Sequence, residues 1–161
     1  MSTPNSHDIK VLNGLIEGLI DSAEGYREAA AETTDDGYRH WFETRATERR
    51  RLADDFKSEV LQRGGSAEED GSILAKAHRA FMDIKHALLR NDSSLVGSIE
   101  SGEDYLKNRF EIAMNDAALA ATTRETIRRG YAEVKAGHDQ MSALKHSLDG
   151  QRDADNPLFP Q

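Results

Sequence analysis

The chain has 161 residues, enough for one domain with its own core, and 37% of them are hydrophobic and 31% charged. A formal net charge of −8 argues against nucleic acid as a partner, because phosphates must be met by Lys and Arg, and the only basic run, Arg49 to Arg51, is followed at once by Asp54 and Asp55. The absence of cysteine excludes disulfides, thiolate nucleophiles, zinc fingers and iron–sulfur clusters.

No apolar run of about 18 residues exists, so no membrane span is expected. The opening residues, Met1 to Asp8, lack the basic and apolar regions of a signal peptide, and the expected compartment is the cytoplasm. The prolines, Pro4, Pro157 and Pro160, all lie at the ends, which leaves the interior free of the strongest helix breaker.

Apolar residues recur at helical spacing throughout. A first helix is predicted from about Ser6 to Thr34, with Leu12, Ile16, Leu19, Ala23, Tyr26 and Ala30 on one stripe. A second runs from about Asp36 to Gln62, with Phe42, Arg45, Arg49, Leu52, Phe56 and Val60 inward, and Gly64-Gly65 ends it. Ser66 and Glu69 read as a capping box that opens a third helix to about Arg90. A fourth follows from about Ser93 to Asp116, with Leu95, Glu103, Leu106, Phe110 and Ala117 on its stripe. Thr122 and Glu125 form a second box, starting a helix over about Thr123 to Leu148 with Ile127, Tyr131, Val134, His138 and Met141 inward. Gly150 ends it, so the domain is expected over residues 1–150 and a flexible tail over 151–161.

The expected fold is therefore all-α: a ferritin-like four-helix bundle with an additional helix in the crossover between bundle helices 2 and 3. A ferritin-like di-metal centre needs about four carboxylates and two histidines facing inward, with two Glu-x-x-His pairs among them. The inward polar residues here are Arg45, Arg49, Glu103, Tyr131 and His138, and Lys135 stands where a Glu would precede His138. One firm carboxylate beside two guanidiniums makes a poor cation site, although Glu48, Glu100, Glu103 and His138 are the candidates if a metal binds. The favoured expectation is a buried network in which Arg45 and Arg49 bind Glu103 and Tyr131 or His138 completes the hydrogen bonds. His78 and Lys85 form a secondary polar edge on the inserted helix. Gly14, Gly18 and Gly25, with Ser22 and Ala29, line a second face of the first helix, where the inserted helix or a second copy of the chain could approach closely.

Several motifs resemble a bacterial four-helix-bundle family of unknown function, grouped with the ferritin-like proteins. They are Leu12-x-x-Leu15-Ile16-Glu17, Asp21-x-x-x-Gly25-Tyr26-x-x-Ala29-Ala30, Phe42-x-x-x-Ala46-x-x-Arg49, Gly64-Gly65-x-x-Glu68-Glu69-x-Gly71-Ser72, His78-Arg79, Glu100-x-x-Glu103-Asp104 and His138-Asp139. The resemblance spans about Leu12 to Leu144 and implies a ferritin-like fold without an established activity. Rubrerythrin-type relatives keep Glu-x-x-His pairs on the second and fourth bundle helices. The arginines near 45–51 and Lys135 here depart from that pattern and count against iron chemistry.

Three functions follow as expectations. The first is a non-enzymatic cytoplasmic bundle, without a cofactor, that acts through protein–protein contacts, homodimerises through the glycine-lined face, and has a stress context by analogy. The second is a divergent metal-binding or redox bundle that uses Glu103 and His138 with Glu48 or Glu100. The third is a small-anion or small-ligand pocket lined by Arg49, Tyr131 and His138. The placement of Arg45 and Arg49 discriminates among them.

Overall fold

The computed structural model describes residues 4–69, 71 and 92–154. Four helices make up the described chain: α1 (Pro4–Glu32), α2 (Asp36–Gln62), α3 (Asp92–Met114) and α4 (Ala121–Ala154). No strand occurs among the described residues. No described helix is long and apolar enough to cross a membrane.

Local chemistry accounts for the first two boundaries. Pro4 opens α1, where its fixed φ suits a helix and its missing N–H costs nothing. Asp35 caps α2 by accepting from the Tyr38 amide at 2.9 Å. Arg39, one turn into α2, donates to the carbonyls of Ala30 (3.2 Å) and Thr33 (2.8 Å) and so satisfies acceptors left open where α1 ends. Gly64 takes φ +83 after α2, and the amides of Gly65 and Gly64 return to Val60 and Leu61 at 3.0 Å each. This is a Schellman stop, and it needs the left-handed residue that glycine supplies.

The two capping boxes expected next do not form. Residues 65–69 are not helical. Asn13 of α1 holds this stretch instead, donating to the Ser66 carbonyl (2.9 Å) and accepting from the Glu68 amide (2.8 Å). Gly65 packs on Ile9, and Gly71 meets Asp21, so the chain leaving α2 runs along α1 in the direction of α1 itself. The rest of the expected inserted helix, with His78 and Lys85, lies outside the described residues. Thr122 is already inside α4. The carboxylate of Asp8, buried on α1, serves that N-terminus by accepting from Thr123 Oγ1 (2.7 Å) and the Ala120 amide (3.3 Å). A carboxylate at this end also complements the helix dipole. At the other end α4 continues through Gly150 to Ala154, so Gly150 does not end the helix, and the rest of the expected tail lies outside the described residues.

Contacts fix the helix directions. Asp8 meets Thr123 near the starts of α1 and α4, and His7 meets Asp116 just past the end of α3. Tyr26, late in α1, meets Glu103 midway along α3. Hence α1 and α4 point one way and α2 and α3 the other, with residues 63–91 connecting the two helices that point the same way.

The core falls into two apolar clusters. One gathers residues such as Leu12, Ile16, Phe56, Phe110, Ile127 and Val134; the other gathers Tyr26, Ala29, Phe42, Val96 and Met141. Ala117, expected inward, is exposed, and the buried residue there is Leu119. Gly14 and Gly18 of α1 face Leu106 and Arg109 of α3, at 3.0 to 3.3 Å from a notional Cβ, while Gly25 has nothing within 4 Å. The close neighbour of the first two glycines is therefore α3 of the same chain.

On α4, Gly130 admits the edge of Phe56, which would lie 2.7 Å from a Cβ placed there, and Phe56 in turn packs on Phe110 at 5.9 Å between centroids. Gly130→Val should overpack this seam and lower stability by about 1–3 kcal/mol. Gly25→Ala should cost nothing, or gain up to about 1 kcal/mol from helix propensity. Urea denaturation of both variants checks the pair. A wild-type midpoint for Gly130→Val would contradict the close approach.

Candidate functional site

Between the two apolar clusters lies a polar layer to which all four helices contribute. On α2, Trp41, Arg45 and Arg49 follow one another at four-residue spacing and so share one face. Opposite them stand Tyr26 of α1, Glu103 of α3 and Gly137 of α4. Arg49 donates from Nη2 to Glu103 Oε2 at 2.9 Å, and the two side chains are only 3% and 1% exposed. Tyr26 donates its hydroxyl to the other oxygen, Glu103 Oε1, at 2.8 Å. The Arg49 guanidinium also lies 6.0 Å from the centroid of the Tyr26 ring. Burial, followed by the neighbouring Glu103 charge, holds the Tyr26 phenol well above its ordinary pKa. It therefore stays protonated and remains a donor.

Arg45 sits at the rim of this layer. It stacks over Trp41 at 5.4 Å, donates to Glu48 at 2.6 Å and reaches Gln140 across the seam to α4. Gly137 makes room for both guanidiniums, because a Cβ there would collide with Arg49 Nη2 and lie 3.4 Å from Arg45 Nη1. Two cations thus meet two carboxylates, Glu103 inside and Glu48 at the edge, and the charges balance. Arg49 Nη1 and Arg45 Nε are buried and have no protein partner.

The structure brings Arg49 and Glu103 together, sets Arg45 at the rim, and leaves Tyr131 and His138 outside the layer. Arg45 pairs with Glu48, not with Glu103. Tyr131 is half-buried and donates to Glu111 at 3.0 Å. Its pKa is raised by burial and by that hydrogen bond. His138 lies in the α3–α4 seam, with Asp104 at 2.5 Å and Asp139 at 3.1 Å. Both residues miss the layer because the centre of α4's buried face passes through Gly130, Val134, Gly137 and Met141, which places positions 131 and 138 at its edge. The phenol that completes the network is Tyr26, which was legible as an inward residue of α1 but was not linked to Glu103.

The four candidate metal ligands do not converge. Glu48 is bound by Arg45, Glu100 by Lys145 at 3.1 Å, Glu103 by Arg49, and His138 by two aspartates. Among the described residues no three of His, Asp and Glu are grouped so as to hold a metal ion.

The sequence pattern of one family matches residues 7–116, more than half of the chain. The chain belongs to the family described as a domain of unknown function (DUF2383). The matched span of this DUF2383 protein takes in Tyr26, Arg45, Arg49 and Glu103 and ends before α4. No functionally curated protein matches the chain.

Removing one partner of a buried ion pair leaves the other uncompensated. Glu103→Ala should therefore destabilise by about 3–5 kcal/mol, whereas the double variant Arg49→Met/Glu103→Leu should recover most of that loss. Chemical denaturation of the single and double variants measures the coupling. Additive losses would mean that the pair does not act as a unit. Tyr26→Phe deletes the second hydrogen bond to the same carboxylate and should cost about 1.5–3 kcal/mol, the range for bonds to charged groups. A loss below about 0.5 kcal/mol in the same assay would take Tyr26 out of the network.

Proposed function

We propose that this protein is a non-enzymatic helical scaffold of ferritin-like architecture, in which an Arg–Glu–Tyr layer occupies the position of a metal site, and that it acts through contacts with other proteins. The paired directions of α1 with α4 and α2 with α3 favour the ferritin-like reading, as does the long connection from α2 to α3, because that arrangement requires one crossover in the middle of the bundle. The crossover helix is part of the same proposal.

One observation carries the reading of the layer. Each carboxylate that could have served as a ligand already has a cation of its own: Arg45 on Glu48, Lys145 on Glu100 and Arg49 on Glu103. A dication arriving at Glu103 would have to displace the buried Arg49 guanidinium, and among the described residues no group of His, Asp and Glu stands ready to receive it. The electrostatics therefore oppose metal binding before geometry is considered.

The contact role rests on α3. Tyr105 and Ile112 stand one heptad apart on its outer face and are 60% and 64% exposed, among the few large apolar side chains that the described surface presents. In this reading these two side chains form the centre of the contact face.

Elemental mass spectrometry of the purified, untagged protein after aerobic iron loading tests the layer. The expected result is no metal above background. A stoichiometric metal that is lost in a Glu103→Gln/His138→Gln variant would overturn the reading and make this a redox or storage protein. For the contact role, a photo-crosslinking amino acid at Tyr105 should yield discrete adducts in cells that the same probe at exposed Ala132 does not. Identical patterns at both positions would remove Tyr105 from any interface.

A further inference from the structure

The seam between α3 and α4 holds a histidine that the polar layer does not use. The side chain of His138 is 17% exposed, and both of its ring nitrogens face carboxylates. Asp104 of α3 reaches Nε2 at 2.5 Å, and Asp139 of α4 reaches Nδ1 at 3.1 Å. A neutral imidazole carries one N–H, so it donates to one aspartate and turns a lone pair toward the other. Only the imidazolium donates to both. Lys107 of α3 opposes a positive charge on the ring, and Lys135 of α4 is bound to Asp139 at 2.8 Å.

We propose that His138 is a pH-sensitive fastener between α3 and α4, closed as the imidazolium bridging Asp104 and Asp139 and loosened when the ring loses its proton. Among the described residues Lys145 to Glu100 and Tyr131 to Glu111 also tie these helices, and neither tie involves a histidine. Of these described ties, that of His138 is the one whose charge changes near neutrality. α3 carries both Glu103 and the exposed Tyr105 and Ile112, so the fastener governs how firmly the proposed contact face is held to the bundle.

Burial disfavours the charged ring, but the hydrogen bonds of Asp139 and Asp104 outweigh it and hold the pKa of His138 above its ordinary value. A raised folded-state pKa gives stabilisation that is complete below the unfolded value of about 6.5 and is lost as pH rises through the folded value.

The test uses the full chain. NMR titration of the imidazole gives the protonation midpoint of His138, and urea unfolding compares wild type with His138→Gln and Asp104→Asn from about pH 5 to about pH 8. The other histidines are common to all three proteins and cancel in the comparison. The wild-type advantage over His138→Gln, expressed as a ratio of unfolding constants, should be largest in acid and shrink several-fold toward pH 8. Asp104→Asn should lower the midpoint of His138. A midpoint at or below that of free histidine, or a wild-type advantage that does not change with pH, would overturn the proposal.

Discussion

The bond between Arg49 and Glu103 is the constraint around which the bundle is arranged. Placing either charge in a sealed core costs several kcal/mol, and only the partner at 2.9 Å offsets that cost. The pair also fixes geometry, because a guanidinium on α2 and a carboxylate on α3 must arrive at the same height. Tyr26 imposes the same condition on α1 through the second carboxylate oxygen. Gly137 imposes it on α4 by leaving the volume that the arginines fill. A slip of four residues in α1 would put Ser22 or Ala30 in the place of Tyr26, and one in α4 would set the Cβ of Glu133 or Met141 against a guanidinium. The layer separates two apolar clusters, each of which could tolerate small shifts without it, since hydrophobic contact is not directional.

α4 is shaped by what its side chains lack. Gly130 and Gly137 stand one heptad apart on its buried face and receive Phe56 and Arg49 from α2. Each glycine costs about 1 kcal/mol in a helix interior relative to alanine, so two in one helix at that spacing need a packing reason. The reason is close approach. It also explains why Tyr131 and His138 lie at the edges: their neighbours toward the centre of the face are the glycines, and the space over the glycines is filled from α2. The glycines of α1 do similar work at Gly14 and Gly18, where Leu106 and Arg109 of α3 come near.

These particulars show what was legible in the sequence and what was not. The stripes located α1, α2 and α3 to within a few residues and placed Arg45, Arg49 and Glu103 on buried faces, because apolar periodicity reports which side of a helix loses water. It does not report which buried polar groups meet, since that depends on the relative heights of helices far apart in sequence. Tyr26 was visible as inward, yet its partner stands 77 residues away. A glycine contributes no hydropathy, so Gly130 and Gly137 left the stripe of α4 to be drawn through Tyr131 and His138. The capping boxes failed for a related reason. Ser66 with Glu69 and Thr122 with Glu125 have the right local chemistry, but Asn13 and Asp8 reach those backbones from α1, and tertiary bonds displaced local ones.

A buried ion pair is seldom the most stable filling for a core. Apolar residues of the same volume often do as well or better by 1–4 kcal/mol or so, so strength alone does not account for Arg49 and Glu103. What an apolar layer lacks is discrimination. With Leu or Met at these positions the two clusters would merge into one continuous stripe along each helix, and neighbouring registers would differ little in energy. The expected gain from the charged layer is discrimination between registers, since a shift that parts Arg49 from Glu103 forces buried charges to find other partners. The same saturation bears on chemistry. Glu103 already accepts from Arg49 and Tyr26, and Arg49 cannot give up its proton to act as a base. The pair ties α2 to α3, the helix that also carries the exposed Tyr105 and Ile112. On the scaffold role proposed above, the buried layer matters because it sets the position of that face.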